Sequence, residues 1–188
     1  MSSAAFTILG VAGSLRRQSY NRALLRAAAE LVPPHVAIET FDIGRLPHFN
    51  QDVEAEGDPP EVRELKERLR AADALLIATP EYNWSTPGVL KNAIDWASRP
   101  PSSTPLKHKP VAIMGASPGL LGTARAQLAL RQALIFPDAW VLPNPQVVVM
   151  GAADKFDENG SLTDERTRGS VRNLVEALVA WARRLGPD

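Results

Sequence analysis

Two hydrophobic patterns alternate along this chain. Short continuous apolar runs recur at residues 6–12, 73–79 and 110–116, the pattern of strands buried on both faces. Between them, apolar residues fall at helical spacing. Leu24, Leu25 and Ala28 mark a helix over 22–31 that Pro33-Pro34 stops. Val62, Leu65 and Leu69 mark another over 61–72, and Leu90, Ala93, Ile94 and Ala97 a third over 89–98. A fourth is expected at 124–135. A fifth lies within 162–185, with Val171, Leu174, Leu178, Val179 and Trp181 facing inward. Residues 36–43 alternate apolar and polar and predict a strand. Residues 140–150 predict one more, placed at a sheet edge because Pro143 and Pro145 interrupt it.

Five strands alternating with five helices predict right-handed crossovers and a parallel sheet covered on both faces. The expected fold is therefore a doubly wound α/β sandwich, with residues 1–188 as a single domain. The polar connection 44–60 is long for such a fold and reads as a functional loop or a partner surface.

In an open parallel sheet, ligands bind beyond the carboxyl ends of the strands, where the strand order reverses. Three loops leave those ends: 13–21, 80–88 and 117–123. The first runs Gly10-Val11-Ala12-Gly13-Ser14-Leu15-Arg16-Arg17-Gln18-Ser19-Tyr20-Asn21 and ends at a helix start. Backbone N–H groups and the helix dipole there suit an anion, and Arg16 adds a fork-shaped donor for phosphate. It lacks the Gly-Lys-Ser/Thr of a Walker loop and the glycine spacing of a dinucleotide fingerprint. A plain strand-to-helix turn capped by Ser or Asn fits the same residues. The second loop, Pro80 to Gly88, carries Tyr82, Trp84 and two prolines. It suits a flat heteroaromatic ligand, or else Tyr82 and Trp84 fill an interface and Glu81 is solvated.

Composition narrows the choice. Net charge is +0, so nothing points to nucleic acid or to an acidic membrane surface. The absence of cysteine excludes disulfides, thiolate metal sites and a cysteine nucleophile, and fits the cytoplasm. Residues 1–5 lack the features of a secretory leader. His35, His48 and His108 show no metal-ligand spacing, so no metal is expected.

Two motifs carry a family resemblance. Gly13-Ser14-Leu15-Arg16-x-x-Ser19-x-Asn21 and Pro80-Glu81-Tyr82-Asn83-x-Ser85-x-Pro87-Gly88-x-Leu90-Lys91-Asn92-Ala93-Ile94-Asp95-Trp96 strongly resemble the NAD(P)H-dependent FMN reductase family. This is the family of flavodoxin-like quinone, chromate and azo-dye reductases, and the likeness runs from about Thr7 to the region of Gln132. It implies a flavodoxin-like strand order 2-1-3-4-5, whose switch point lies between strands one and three. It also implies bound FMN, with NAD(P)H as donor, NADPH favoured, and a small-molecule acceptor. By the resemblance, Ser14, Arg16, Ser19 and Asn21 hold the FMN phosphate. Pro80, Glu81, Tyr82 and Asn83 line the isoalloxazine, largely through backbone groups, and Ser117 and Gly119 approach its pyrimidine end.

The implied chemistry is a two-electron transfer through the flavin, so no catalytic side chain is expected. Backbone N–H groups around Ser117 to Gly119 are candidates for stabilising the reduced ring. Arg99 follows the third helix and either attracts an anionic partner or offsets the helix dipole. The resemblance further implies a homodimer or homotetramer. Trp84 stands where relatives often carry Tyr, and Gln146 where some carry an acid. Two other readings remain: a flavodoxin-type electron carrier, which the neutral charge disfavours, and a flavin-binding regulatory protein without turnover.

Overall fold

The computed structural model describes residues 6–186. Residues 1–5, which bear on the question of a leader, lie outside the described residues. The first strand, β1 (Phe6–Ala12), pairs in parallel with β2 (Val36–Phe41) on one side and β3 (Ala74–Ala78) on the other. Beyond β3 lies β4 (Pro110–Ala116), and beyond β4 the edge. The order is β2-β1-β3-β4-β5, the doubly wound arrangement expected.

The edge is where the structure departs from a five-strand count. Residues 140–150 form two short strands, β5 (Trp140–Val141) and β6 (Val147–Val149). Both pair in parallel with β4, through Pro110↔Trp140 and Met114↔Val147. One edge position is thus shared by a strand interrupted across Pro143 and Pro145, neither of which can donate to the ladder.

The described residues form six α-helices, α1 (Tyr20–Glu30), α2 (Gln51–Ala55), α3 (Pro60–Ala71), α4 (Gly88–Ala97), α5 (Ala124–Ala133) and α6 (Glu165–Leu185), of which all but the exposed α2 pack on the sheet. Alternating strand residues divide between two cores. Ile8, Leu76, Ala112 and Met114 pack with α1 and α6, whereas Leu9, Val11, Ile77 and Ile113 pack with α3, α4 and α5.

The connection 44–60 is not a free loop. It carries α2, and α4 pins it from below. The Asn92 amide and the Trp96 indole N–H both donate to the Pro47 carbonyl, at 2.9 and 2.8 Å. The Phe49 N–H donates to Asn92 Oδ1 at 2.7 Å, and its ring meets Trp96 edge-on. Further along, buried Lys66 on α3 holds the Asp58 carboxylate at 2.6 Å. Arg99 belongs to the same fastening: its Nε sits 3.1 Å from Glu54 Oε1 on α2. Its charge is thus paired with a carboxylate of the same connection. Helix α6 lies within the expected 162–185: Leu162 bridges to Phe156 before it, and Asp164 caps it.

Candidate flavin site

The three loops converge at the carboxyl ends of β1, β3 and β4, and the strand contacts explain how. The Gly13 N–H donates to the Ala78 carbonyl, and the Thr79 N–H to that of Met114, so each loop leaves the sheet already tied to its neighbour. Gly115 permits the closest approach. A Cβ there would lie 2.1 Å from Thr123 Oγ1 and 2.4 Å from the Thr79 carbonyl oxygen. A glycine inside a buried strand marks such an approach.

In the first loop, Ser19 is the N-cap of α1: its Oγ accepts from the N–H groups of Asn21 and Arg22 at 3.2 and 3.3 Å. Ser14 is buried and its Oγ accepts from the Arg16 N–H. The Arg22 Nε donates to the Ser14 carbonyl at 3.0 Å, a brace between helix and loop that the sequence motif did not single out. Among the described residues, nothing accepts from the N–H groups of Leu15, Arg17 and Gln18. With the exposed Arg16 and the amino end of α1, these donors fit a phosphate group.

Asn21 stands apart from its expected role. Its side chain is 2% exposed, and it closes a two-way pair with the Ala116 backbone. Nδ2 donates to the Ala116 carbonyl at 2.9 Å, and Oδ1 accepts from its N–H at 2.9 Å. Its amide thus ties the start of α1 to the end of β4 and the third loop.

The second loop is a tight hairpin. Tyr82 and Ser85 exchange both backbone hydrogen bonds, at 3.2 and 3.0 Å, around Asn83 and Trp84. Both tip residues have positive φ, 49° and 65°, the turn type that suits hairpin twist but strains a bulky side chain. The Tyr82 backbone is consequently engaged within the loop. Pro80 is buried, and its carbonyl accepts from Thr79 Oγ1 at 2.8 Å. Glu81 is not solvated: its carboxylate reaches the first turn of α5.

In the third loop, the Ser117 N–H donates to the Val149 carbonyl and the Gly119 N–H to Ser117 Oγ. The donors expected to face a reduced ring are therefore already used. Those without an acceptor among the described residues are the N–H groups of Leu120, Leu121 and Thr123, which follow directly.

Size alone would direct attention elsewhere. A concavity of about 650 Å³ lies at the opposite end, by the amino ends of β1 and β4, lined by Arg70, Lys107, Lys109 and Arg183. Arg70 and Arg183 stand in the last turns of α3 and α6, where cations offset the helix dipoles. Burial lowers the Lys109 pKa, and its Nζ donates to the Ala72 carbonyl. That end of the sheet is accounted for by helix termini, which present carbonyls and not anion-binding N–H groups.

A doubly wound sheet with an anion-accepting first loop and a rigid aromatic second loop at its switch point defines a flavodoxin-like flavoprotein class. The family model for the NADPH-dependent FMN reductase matches residues 6–154, and this chain belongs to that family. An NAD(P)H-dependent FMN reductase of Pseudomonas aeruginosa is 53% identical over 178 residues, covering 95% of this chain and 96% of that one. A quinone reductase of Pseudomonas putida is 42% identical over 95% of each chain. In structure, the flavoenzyme FerB of Paracoccus denitrificans, an NAD(P)H:(acceptor) oxidoreductase, superposes with a TM-score of 0.89 at 38% identity, covering 97% of this chain and all of its own. Among the described residues, no helix is long and apolar enough to cross a membrane.

Proposed function

We propose that this chain is an FMN-dependent oxidoreductase that takes two electrons from NAD(P)H, with NADPH favoured, and passes them to quinones or related small acceptors. The observation that carries the reading is the first loop. The unpartnered N–H groups of Leu15, Arg17 and Gln18, the Ser14 and Ser19 hydroxyls and Arg16 meet at one helix start beside the two other loops. Family membership and the names of the relatives support it.

FMN, when bound, supplies the two-electron relay between donor and acceptor. The chain's own residues bind and orient it. Ser14, Ser19 and Arg16 take the phosphate, while Asn21 keeps the loop in register with β4. Pro80, Glu81, Tyr82 and Asn83 form one wall of the ring site, through the free backbone groups of Glu81 and Asn83 more than through Tyr82. Ser117 and Gly119 shape the facing loop. No side chain is assigned a proton-transfer role, and one ring face is left for donor and acceptor to visit in turn. The working unit is proposed to be a homo-oligomer, a dimer or tetramer, which exposed Leu128 on α5 and Leu121, Ile135 and Phe136 flanking that helix support.

An absorbance spectrum with added FMN, before and after anaerobic NADPH, tests the reading. Flavin bands that bleach with NADPH and return with benzoquinone are expected. Bands that persist under NADPH would leave a carrier or a regulatory flavoprotein. A protein that binds no FMN would overturn the three-loop site altogether.

A further inference from the structure

The Glu81 carboxylate makes contacts that lining a ring does not require. Its Oε2 accepts from the backbone N–H groups of Arg125 and Ala126, at 3.0 and 3.1 Å, across 44 and 45 positions of sequence. These are N–H groups of the first turn of α5, which have no partner within the helix. The residue in the cap position, Thr123, does not serve them, because its hydroxyl accepts from Gln127 Nε2 at 3.0 Å. Helix α5 is therefore capped from another loop, by a carboxylate whose side chain is only 10% exposed. A charged acceptor at a helix amino end gains from both hydrogen bonding and the dipole. The same second loop reaches α5 once more, where Thr86 Oγ1 donates to the Ala126 carbonyl at 3.3 Å.

We propose that the Glu81 side chain is a positioning group that fixes the separation of the second and third loops: its carboxylate acts on FMN through the first turn of α5, apart from the backbone groups by which the residue lines the ring site. The proposal rests on the flavin reading above. Residues 117–123 run directly into α5, so moving that helix start moves the loop that faces the ring. Glu81 contributes two separable properties here, reach and charge. Reach sets the loop spacing, since only a side chain of this length brings an acceptor to both N–H groups. Charge adds attraction to the helix end and to Arg125, whose Nη1 lies 3.7 Å from Oε1.

Two substitutions separate these properties. E81Q keeps the reach and the carbonyl acceptor but removes the charge. E81D keeps the charge and shortens the reach by one methylene. FMN is titrated into wild-type and variant protein, with binding followed by flavin fluorescence and ring surroundings by visible circular dichroism. E81D is expected to weaken FMN binding by about tenfold, the scale of a lost helix cap, and to change the flavin dichroism. E81Q is expected to stay within about threefold of wild type with its dichroism preserved. Equal loss in both variants, or a larger loss in E81Q, would overturn the proposal, because charge and not reach would then matter. Unchanged binding in E81D would overturn it as well. Failure of the wild type to bind FMN is a different result, and would count against the flavin reading itself.

Discussion

Asn21 occupies a position that reads as a ligand contact and is occupied by the backbone instead. Among the described residues its amide is the one side-chain partner of both Ala116 backbone groups, in a buried setting where leaving either unpaired is costly. N21A is therefore expected to lower the stability of the protein without FMN by about 2 kcal/mol. A urea midpoint unchanged from wild type, with only FMN affinity reduced, would return Asn21 to a direct phosphate role. This residue shows the limit of reading a single chain. The cap Ser19 was legible because its partners lie two and three residues away. The partner of Asn21 lies 95 residues away, and that of Glu81 more than 40. Residue type and local spacing mark both as polar loop positions, but what each one binds is decided by the packing of distant strands. Trp84 is the reverse case. Nothing in its identity announces a positive φ, which its place at a two-residue hairpin tip imposes.

At the level of elements, the long apolar runs were legible because a strand buried on both faces leaves no other pattern. The misread elements are the short ones. Helix α2 has five residues and none is buried, so no apolar periodicity betrays it; the Asn50 cap is its only local sign. The longest helix, α6, falls within the expected stretch 162–185, and Asp164 is its cap. That cap also sets a pH response. The Asp164 carboxylate accepts from the Thr167 side chain, from Lys155 Nζ at 3.1 Å and from the Thr167 N–H at 2.9 Å. The Thr167 hydroxyl first, then Lys155, hold its pKa below the ordinary 3.8. A carboxylate with a depressed folded pKa contributes stability above its unfolded value and loses it as pH falls through the folded one. Urea unfolding at neutral pH and near pH 3 should therefore show part of the acid loss at this site. D164N, which keeps a capping oxygen but cannot be protonated, should be less stable at neutral pH and lose less on acidification. An identical acid loss in D164N and wild type would remove Asp164 from the account.

For the whole molecule, the strand order and the position of the three loops could be read from the alternation of runs and spacings, because topology rules leave few arrangements. What covers an exposed apolar face could not. Helical spacing marks an apolar face but does not say whether that face meets the sheet or another subunit. On α5 both occur. Leu130 is buried against the sheet and Leu134 just beyond it, while Leu128 is 67% exposed, and Ile135 and Phe136 beyond the helix are 73% and 75% exposed. Leu121, just before the helix, is also exposed, at 53%. Trp84, 71% exposed, stacks on Arg125 at 4.0 Å, near the start of the same helix. Apolar residues exposed in this way are costly to leave in water and are typical of faces that bury against a partner. Self-association through this face predicts that the wild type sediments as a dimer or tetramer at micromolar concentration. L128E and I135E together would place two carboxylates in a closing apolar contact, and should shift the protein to monomer. Since neither residue belongs to the three loops, the double variant should still bind FMN when concentrated. A wild type that sediments as a monomer, or a double variant that keeps the wild-type mass, would show that copies of the chain do not meet through α5.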